Sequence, residues 1–592
     1  MKYFSLMLLV LFLFVCSVIR AQTTEKENNK ELYKLFASYS EEELKLFPMQ
    51  ATSRGDNRYN DLLPATFTDN YQFELKAFNT NYLNALSKFK RADLNENDRL
   101  SYDIFKWSLN MNVEGLNQKN NRLPFDQSVF SFPLQFAQLG SGTVTQPFKT
   151  VKDYHNWISR ATAFSAWADS AIVYFRKGMD EGIVLPKALV TKMIPQMESF
   201  VTADATKSVF YGPITNLPQD FSAAEKQQLT TAYIKLIKEQ LVPAYKKLHA
   251  FLQNEYLPKA RTTSGLSTLP GSAAWYNYQV RLMTTTDKTA TEIYTTGLAE
   301  VKRIRAEMEK VKNSVGFKGD LKAFFEHLRT DPKFFPYKTP EEVLTAYRAI
   351  QQKIDPNLSK MFRQTPKTSF EIRQTEAFRA ASAAAQYNAG LTDGSRPGIF
   401  YVPIVDATKQ SYARESLFIH EAIPGHHYQI MLQRENKSLP DFRRFGQFIA
   451  YLEGWGLYSE SLGKELGLYT DPYQQIAALG DEIHRAIRLV VDPGLHSKGW
   501  TREKAISYML ENEPMSEQEV TAEIERYMAM PGQALAYKVG ELKLQELRKK
   551  YTRQLGVAFN LADFHEQVLK DGAMPLGILE KKIDEWAKRQ KK

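Results

Sequence analysis

Apolar residues recur at helical spacing through most of the chain. Leu229, Tyr233, Ile237, Leu241, Tyr245, Leu248 and Leu252 mark one stripe, and Ile293, Gly297, Val301, Ile304, Met308 and Val311 mark another. Ser222 with Glu225 has the spacing of a capping box and predicts where the first of these helices starts. Pro243 is expected to kink it. Thr339-Pro340 followed by Glu342 predicts a third helix, with proline at its first position. These stripes are most simply core. Residues 30–91 alternate helical patterns with turn-rich pieces. Residues 121–150, rich in Pro, Gly, Ser and Phe, read as a long ordered loop. Residues 399–405 are apolar and aromatic after Arg396-Pro397-Gly398, and predict a strand. As an edge strand it would pair with an extended peptide; as an ordinary packed strand it would not. The pattern predicts a mainly α chain with a small sheet.

The pattern is broken most informatively at residues 416–429, which read SLFIHEAIPGHHYQ. The chain has nine histidines, and His420, His426 and His427 fall with Glu421 inside eight residues. The apolar run Leu417-Phe418-Ile419 places this group on a buried helix. Imidazoles and a carboxylate are costly to bury unless something satisfies them, and a metal ion does so. In H-E-x-x-H, two histidines one turn apart bind zinc and the glutamate activates water. Here the second histidine is displaced by two residues. In a regular helix neither His426 nor His427 meets His420 around one ion. Pro424 cannot donate to the carbonyl of His420, and Gly425 allows unusual backbone angles. If two residues there loop out as a bulge, His426 becomes the second ligand and His427 turns toward substrate or a supporting carboxylate. The bland alternative is a histidine-rich helix end with satisfied core imidazoles.

A third ligand is expected on a later helix. Glu453 and Glu460 in YLEGWGLYSE are candidates, seven residues apart and so on one helical face. Two further stretches hold His484, Arg485, Arg488, Asp492 and His496, then Glu525, Arg526, Tyr527 and Tyr537. Peptide hydrolysis needs donors where the oxyanion develops, and Tyr537 and His496 are the candidates. Arg488 and Arg526 are candidates to hold a substrate carboxylate in a two-pronged contact.

The segments HEAIPGHH, EGWGLYSE, RAIRLVVDPGLH, RYMAMPGQALAYKVG and FHEQVLKDGAMPLGILE together resemble the bacterial domain-of-unknown-function 885 family. The resemblance covers most of the chain and is most specific from about residue 396 onward. It implies a large helical zincin-like fold with a deep groove and a small β-sheet beside the metal-site helix. More distantly, Gly425-His426 preceded by His420-Glu421 is similar to the HExGH helix of carboxypeptidase Taq and angiotensin-converting enzyme. This supports His426 as the ligand. The run around Glu453 resembles the NEGFA segment of gluzincin aminopeptidases, which favours Glu453 over Glu460. The expectation is a zinc-dependent peptidase acting on short peptides, with His420, His426 and Glu453 on Zn2+ and Glu421 as general base. A non-catalytic peptide-binding protein and a metal-dependent amidase are the alternatives.

Composition narrows the setting. Residues 1–21 have a signal-like pattern, with Lys2, an apolar run over residues 4–19, and a cleavage point before Gln22. Export to the periplasm or the extracellular space is expected, with no stable membrane span after cleavage. Cys16 is the single cysteine and lies inside that segment, so the mature chain has neither disulfide nor thiol nucleophile. Removing Lys2 and Arg20 takes the formal charge from +10 to +8. That excess is spread along the chain without aromatic interleaving, so no nucleic-acid partner is expected. The expected organisation is a largely helical N-terminal lobe over residues 22–395 and a catalytic lobe over residues 396–592.

Overall fold

The computed structural model describes residues 28–590, apart from 129–130, 377–379, 381–383 and 395. The expected signal segment and its cleavage point lie outside these residues. The protein is mainly α, as its apolar periodicity predicts. Among the described residues no helix is long and apolar enough to cross a membrane.

Local signals fix many helix starts. The Ser222–Glu225 and Thr339–Glu342 capping boxes both form, each closing two orphan backbone donors at a helix N-terminus. A wide turn at Ile237–Leu241 leads up to Pro243, and the backbone stays helical through it into Val242–Phe251. Such a turn accommodates a proline ring that a regular turn would clash with. Residues 121–150 are not all loop. Phe132–Gly140 is helical, with Pro133 in its first turn and Phe136 stacked 4.6 Å from Phe164. Aromatic burial there outweighed the loop-like composition.

The elements that frame the site come in this order. Helix α1 (Ala290–Ser314) is followed by α2 (Pro340–Met361), then strands β1 (Phe370–Gln374), β2 (Gln386–Asn388) and β3 (Gly398–Val402). After these come α3 (Glu415–Glu421), α4 (His426–Glu435), α5 (Ile449–Glu460), α6 (Pro472–His496), α7 (Glu517–Ala529) and α8 (Ala536–Leu555). The sheet order is β1-β3-β2, with β3 parallel to β1 and antiparallel to β2. The strand predicted at 399–405 is therefore central. Both its edges are paired, so it cannot add a peptide strand. The boundary expected between 395 and 396 falls inside this sheet, with β1 and β2 before it and β3 after.

One apolar core joins these parts. It includes Tyr347 and Ile354 of α2, Phe400 of β3, Phe418 and Ile419 of α3, and Trp455 of α5. Helix α1 lies along α6, so close that a side-chain carbon at Gly297 would come 2.7 Å from Leu489. Helix α5 is buried on nearly every face. A helix that is apolar all round needs a partner on every side, and α3, α4 and α8 pack around α5.

Candidate metal centre

Helix α3 ends at Glu421, and the chain turns sharply before α4 starts at His426. Ala422 closes α3 by donating its N–H to the Phe418 carbonyl at 2.8 Å. The Ile423–Pro424 peptide is cis. Gly425 caps α4, and a side-chain carbon there would lie 2.0 Å from the His420 carbonyl oxygen. Only glycine lets the second helix start this close to the end of the first. The Trp455 indole N–H pins the turn from α5, donating to the Pro424 carbonyl at 2.9 Å. The expected bulge within a continuous helix is thus replaced by a full break. Pro424 and Gly425 lie in the turn itself.

The break turns the two neighbouring histidines in different directions. His426 Nε2 lies 3.5 Å from Glu453 Oε2, and His420 Nε2 lies 3.5 Å from the same oxygen. The two imidazoles are nearly perpendicular, with centroids 4.8 Å apart. His420, His426 and Glu453 each offer one ligand atom, and the three atoms lie within 4.8 Å of one another. Two ligands bound tetrahedrally to zinc at ordinary bond lengths are about 3.4 Å apart. The two histidine–glutamate separations therefore match a zinc-sized hole. The donor set, two imidazole nitrogens and one carboxylate oxygen, is that of catalytic zinc with a fourth position open. His426 Nδ1 is buried without a hydrogen-bond partner.

Glu460, two turns after Glu453, has a different task. Its Oε1 sits 2.7 Å from His420 Nδ1. That contact fixes the ring orientation and leaves Nε2 facing Glu453. Burial disfavours charge on His420, but the carboxylates of Glu453 and Glu460 outweigh it and push its pKa up to about 10. Burial likewise works against charge on Glu453, yet its bonds to His420 and His426 hold it well below the usual carboxylate range. Within the cluster the carboxylates thus outweigh burial, and positive charge beside them is favoured.

Glu421 is the remaining acid of the group. Burial raises its pKa, while His420 and His426 pull the other way. It lines a cavity of about 840 Å³ together with Arg414, Asp481, His484, Arg485, Arg488, Glu513 and Glu523. Arg488 lies over the Tyr537 ring at 4.6 Å. Burial raises the pKa of the Tyr537 hydroxyl, and the charge of Glu453 adds to this. Tyr537 thus carries Arg488 on its ring and feels the charge of Glu453. Arg526 is committed elsewhere: Nε and Nη2 hold Glu523 at 3.1 and 2.9 Å, and Nη1 donates to Gln533 at 2.7 Å.

Two expected residues are not brought to this site. His427 turns to the sheet, where its Nδ1 meets the Tyr387 hydroxyl at 2.9 Å and its ring packs by Phe370. Burial lowers its pKa to about 4. His496 is 2% exposed, accepting from the Leu266 N–H at 3.1 Å and donating to the Tyr527 carbonyl at 3.0 Å. With both nitrogens held by backbone it has none to offer an oxyanion. Glu513 and Glu523 were not singled out from sequence. Glu523 had a weak signal, since it lies three residues before Arg526 on one helix, at ion-pair spacing.

The sequence pattern of the family described as "Bacterial protein of unknown function (DUF885)" matches residues 48–583. A crystal structure described as a "putative lipoprotein" from Colwellia psychrerythraea is similar over 95% of this chain and 99% of its own, with TM-score 0.88 and 28% identity. Another, described as a "putative lipoprotein of unknown function" from Shewanella oneidensis, has TM-score 0.70 and 19% identity over 93% and 99% of the two chains. At that identity the second likeness concerns the fold alone. No curated protein matches.

Proposed function

The chain belongs to the DUF885 family, and we propose that this member is an exported zinc-dependent peptidase that hydrolyses short peptides. One observation carries the reading: three ligand atoms within 4.8 Å of one another, with both histidine–glutamate separations zinc-sized, stand beside a buried glutamate that opens onto a cavity. When bound, zinc supplies Lewis acidity and makes water a better nucleophile near neutral pH.

The chain's own residues divide the remaining work. Hydrolysis adds water across the peptide C–N bond, the hydroxyl going to the carbonyl carbon and a proton to the leaving nitrogen. Glu421 takes the proton from water and returns it to that nitrogen. A base that does both must also become a competent acid. The Tyr537 hydroxyl, kept protonated by burial and by Glu453, donates to the developing oxyanion. Glu460 holds the His420 ring in place without touching substrate. Export is supported by the signal-like residues 1–21 and by the description of the Colwellia psychrerythraea structure as a "putative lipoprotein".

The test is a zinc assay paired with hydrolysis of a short-peptide mixture. The purified protein should hold one zinc per chain and cleave peptides. Glu421→Gln should keep the metal and lose activity by about 100-fold or more, since an amide cannot accept the proton. Unchanged turnover in Glu421→Gln, or a protein that excludes zinc, defeats the proposal.

A further inference from the structure

A second cavity, of about 630 Å³, lies against the end of α4 and the start of α5, and it shares no lining residue with the cavity at Glu421. Arg54, Arg396 and Arg434 line it. They come from the helix Pro48–Arg54, from the approach to β3 and from the last turn of α4. Among the described residues Glu43 is the only acid in its wall. Glu43 is already engaged: the Tyr39 hydroxyl donates to its Oε1 at 3.2 Å, and Arg54 holds its Oε2 at 3.3 Å. Arg396 donates to the Ala389 carbonyl at 2.9 Å.

Arg434 is the group left over. It is half-buried, and among the described residues its guanidinium has neither a hydrogen-bond nor an ion-pair partner. It meets the Phe445 ring at 6.0 Å, and that ring is shared with Arg54 at 5.5 Å. Its neighbour Glu435 is turned away, accepting from the backbone N–H groups of Lys367 and Thr368 at 2.9 and 2.8 Å. Burial depresses the Arg434 pKa, and the like charges of Arg396 and Arg54 add to this. A buried cation without an anion is costly to the fold. The planar guanidinium fork matches a carboxylate in a two-pronged contact. Around it the wall is apolar, with Trp107, Met111, Phe442 and Phe448. An acidic side chain beside an apolar one has the complementary set, whereas a peptide's N-terminal ammonium is repelled.

We propose that Arg434, with Arg54 and Arg396 beside it, receives an acidic side chain of the peptide, so that the protein selects sequences carrying Glu or Asp next to an apolar residue. This rests on the peptidase reading above in taking a peptide as the ligand. The position of the cavity agrees with it. Ile449 lines the wall and precedes Glu453 by four residues on α5, one turn or about 6 Å along the axis. A cavity of this size has room for more than one side chain, so the aromatic wall takes the apolar neighbour while the guanidinium takes the acid.

The test uses short peptides acetylated and amidated at their ends, so that no terminal charge contributes, in pairs that differ only in Glu or Gln beside Phe. Binding is measured calorimetrically on the full chain with zinc and after its removal. The Glu peptide should bind about 10-fold tighter or more in both states. Arg434→Met, a neutral chain of similar length, should remove most of that preference. Arg434 makes no hydrogen bond to the fold, so this variant should keep the urea midpoint of the parent; should it fail to fold, the peptide comparison on the unaltered chain decides. Equal binding of the Glu and Gln peptides, or a preference that survives Arg434→Met intact, overturns the site. A Glu preference in a protein that neither holds zinc nor cleaves defeats the peptidase reading but leaves the site standing. Zinc-dependent cleavage without the preference does the reverse.

Discussion

Gly456 lies on α5 between Glu453 and Glu460, facing the His420 imidazole. A side-chain carbon there would come 2.7 Å from His420 Cε1, 2.8 Å from Nε2 and 3.0 Å from Nδ1. Ordinary carbon contacts begin near 3.5 Å, so Gly456→Ala must displace the ring by about 0.8 Å. The ring cannot retreat freely, because Glu460 holds it from the Nδ1 side. Metal-ligand distances tolerate only about 0.2 Å. Zinc affinity should therefore fall by about 10- to 100-fold, or about 1.4–2.8 kcal/mol, as for other losses of ligand orientation. Fold stability should fall by about 0–2 kcal/mol. Overpacking costs about 1–3 kcal/mol, while alanine in place of a helical glycine recovers about 1 kcal/mol. Competition with a fluorescent chelator gives the affinity, and urea unfolding of the metal-free protein gives the stability. Gly577→Ala is the control, since a side chain there meets open space. A Gly456→Ala protein that folds and binds zinc as tightly as the parent refutes the assignment of His420 as a ligand in this position.

Zinc content separates the two carboxylates of α5: Glu453→Ala should lose the metal, and Glu460→Ala should retain it with weaker affinity. The opposite order would reverse their roles. His426→Ala should abolish zinc binding while His427→Ala leaves it intact; metal loss in the second variant alone overturns the register of the break. Acid should weaken the metal-free fold through two buried neutral histidines outside the ligand set, His496 and His565. Burial lowers both from 6.5 to about 3, so the unfolded chain binds more protons between those values. Their stabilisation is complete above pH 6.5 and is lost as pH falls toward 3. Urea midpoints that stay level across this window for the parent protein would contradict the buried neutral state. His565→Phe should flatten part of the slope.

The parts of this structure that were legible in the sequence depend on short-range chemistry. Capping boxes at Ser222 and Thr339 act over three residues, and the stripe of α1 repeats every turn. Both signals were strong enough to survive tertiary packing. The cluster was legible for a related reason. His420, Glu421, His426 and Glu453 are residue types that a buried helix rejects unless they share a purpose. What sequence could not supply was direction. His426 and His427 are adjacent and chemically alike. Which one faces Glu453 depends on a turn whose shape comes from Gly425 lying against the His420 carbonyl and from Trp455 reaching in from another helix. The strand at β3 raised the same difficulty. Its apolar run showed burial, but its central position depends on β1, whose paired residues precede it by 28 positions.

His496 marks the limit of reasoning from residue type. Its stretch carries His484, Arg485, Arg488 and Asp492 along one helix, and any of these could have faced the cavity. At 100° per residue all of them lie within about 120° of one face, so position along the axis divides them. Arg485 and Arg488 follow His484 by one and four residues and keep to the cavity side, while Asp492 and His496 continue into the core below. There Asp492 accepts from the Tyr276 hydroxyl and the Gly532 N–H, and His496 bridges two backbone segments. Core burial of a carboxylate raises its pKa, here to about 7, and burial of an imidazole lowers it. Both shifts resemble those of catalytic groups. What separates structural from chemical roles is whether polar atoms remain open. Asp492 and His496 have spent theirs on the fold, whereas Arg485, Arg488 and Glu513 keep one atom each unpaired within a cavity that Glu421 also lines. A protein tolerates such open buried atoms only where something completes them, so the chemically uncommitted part of this helix lies on the N-terminal side of His496.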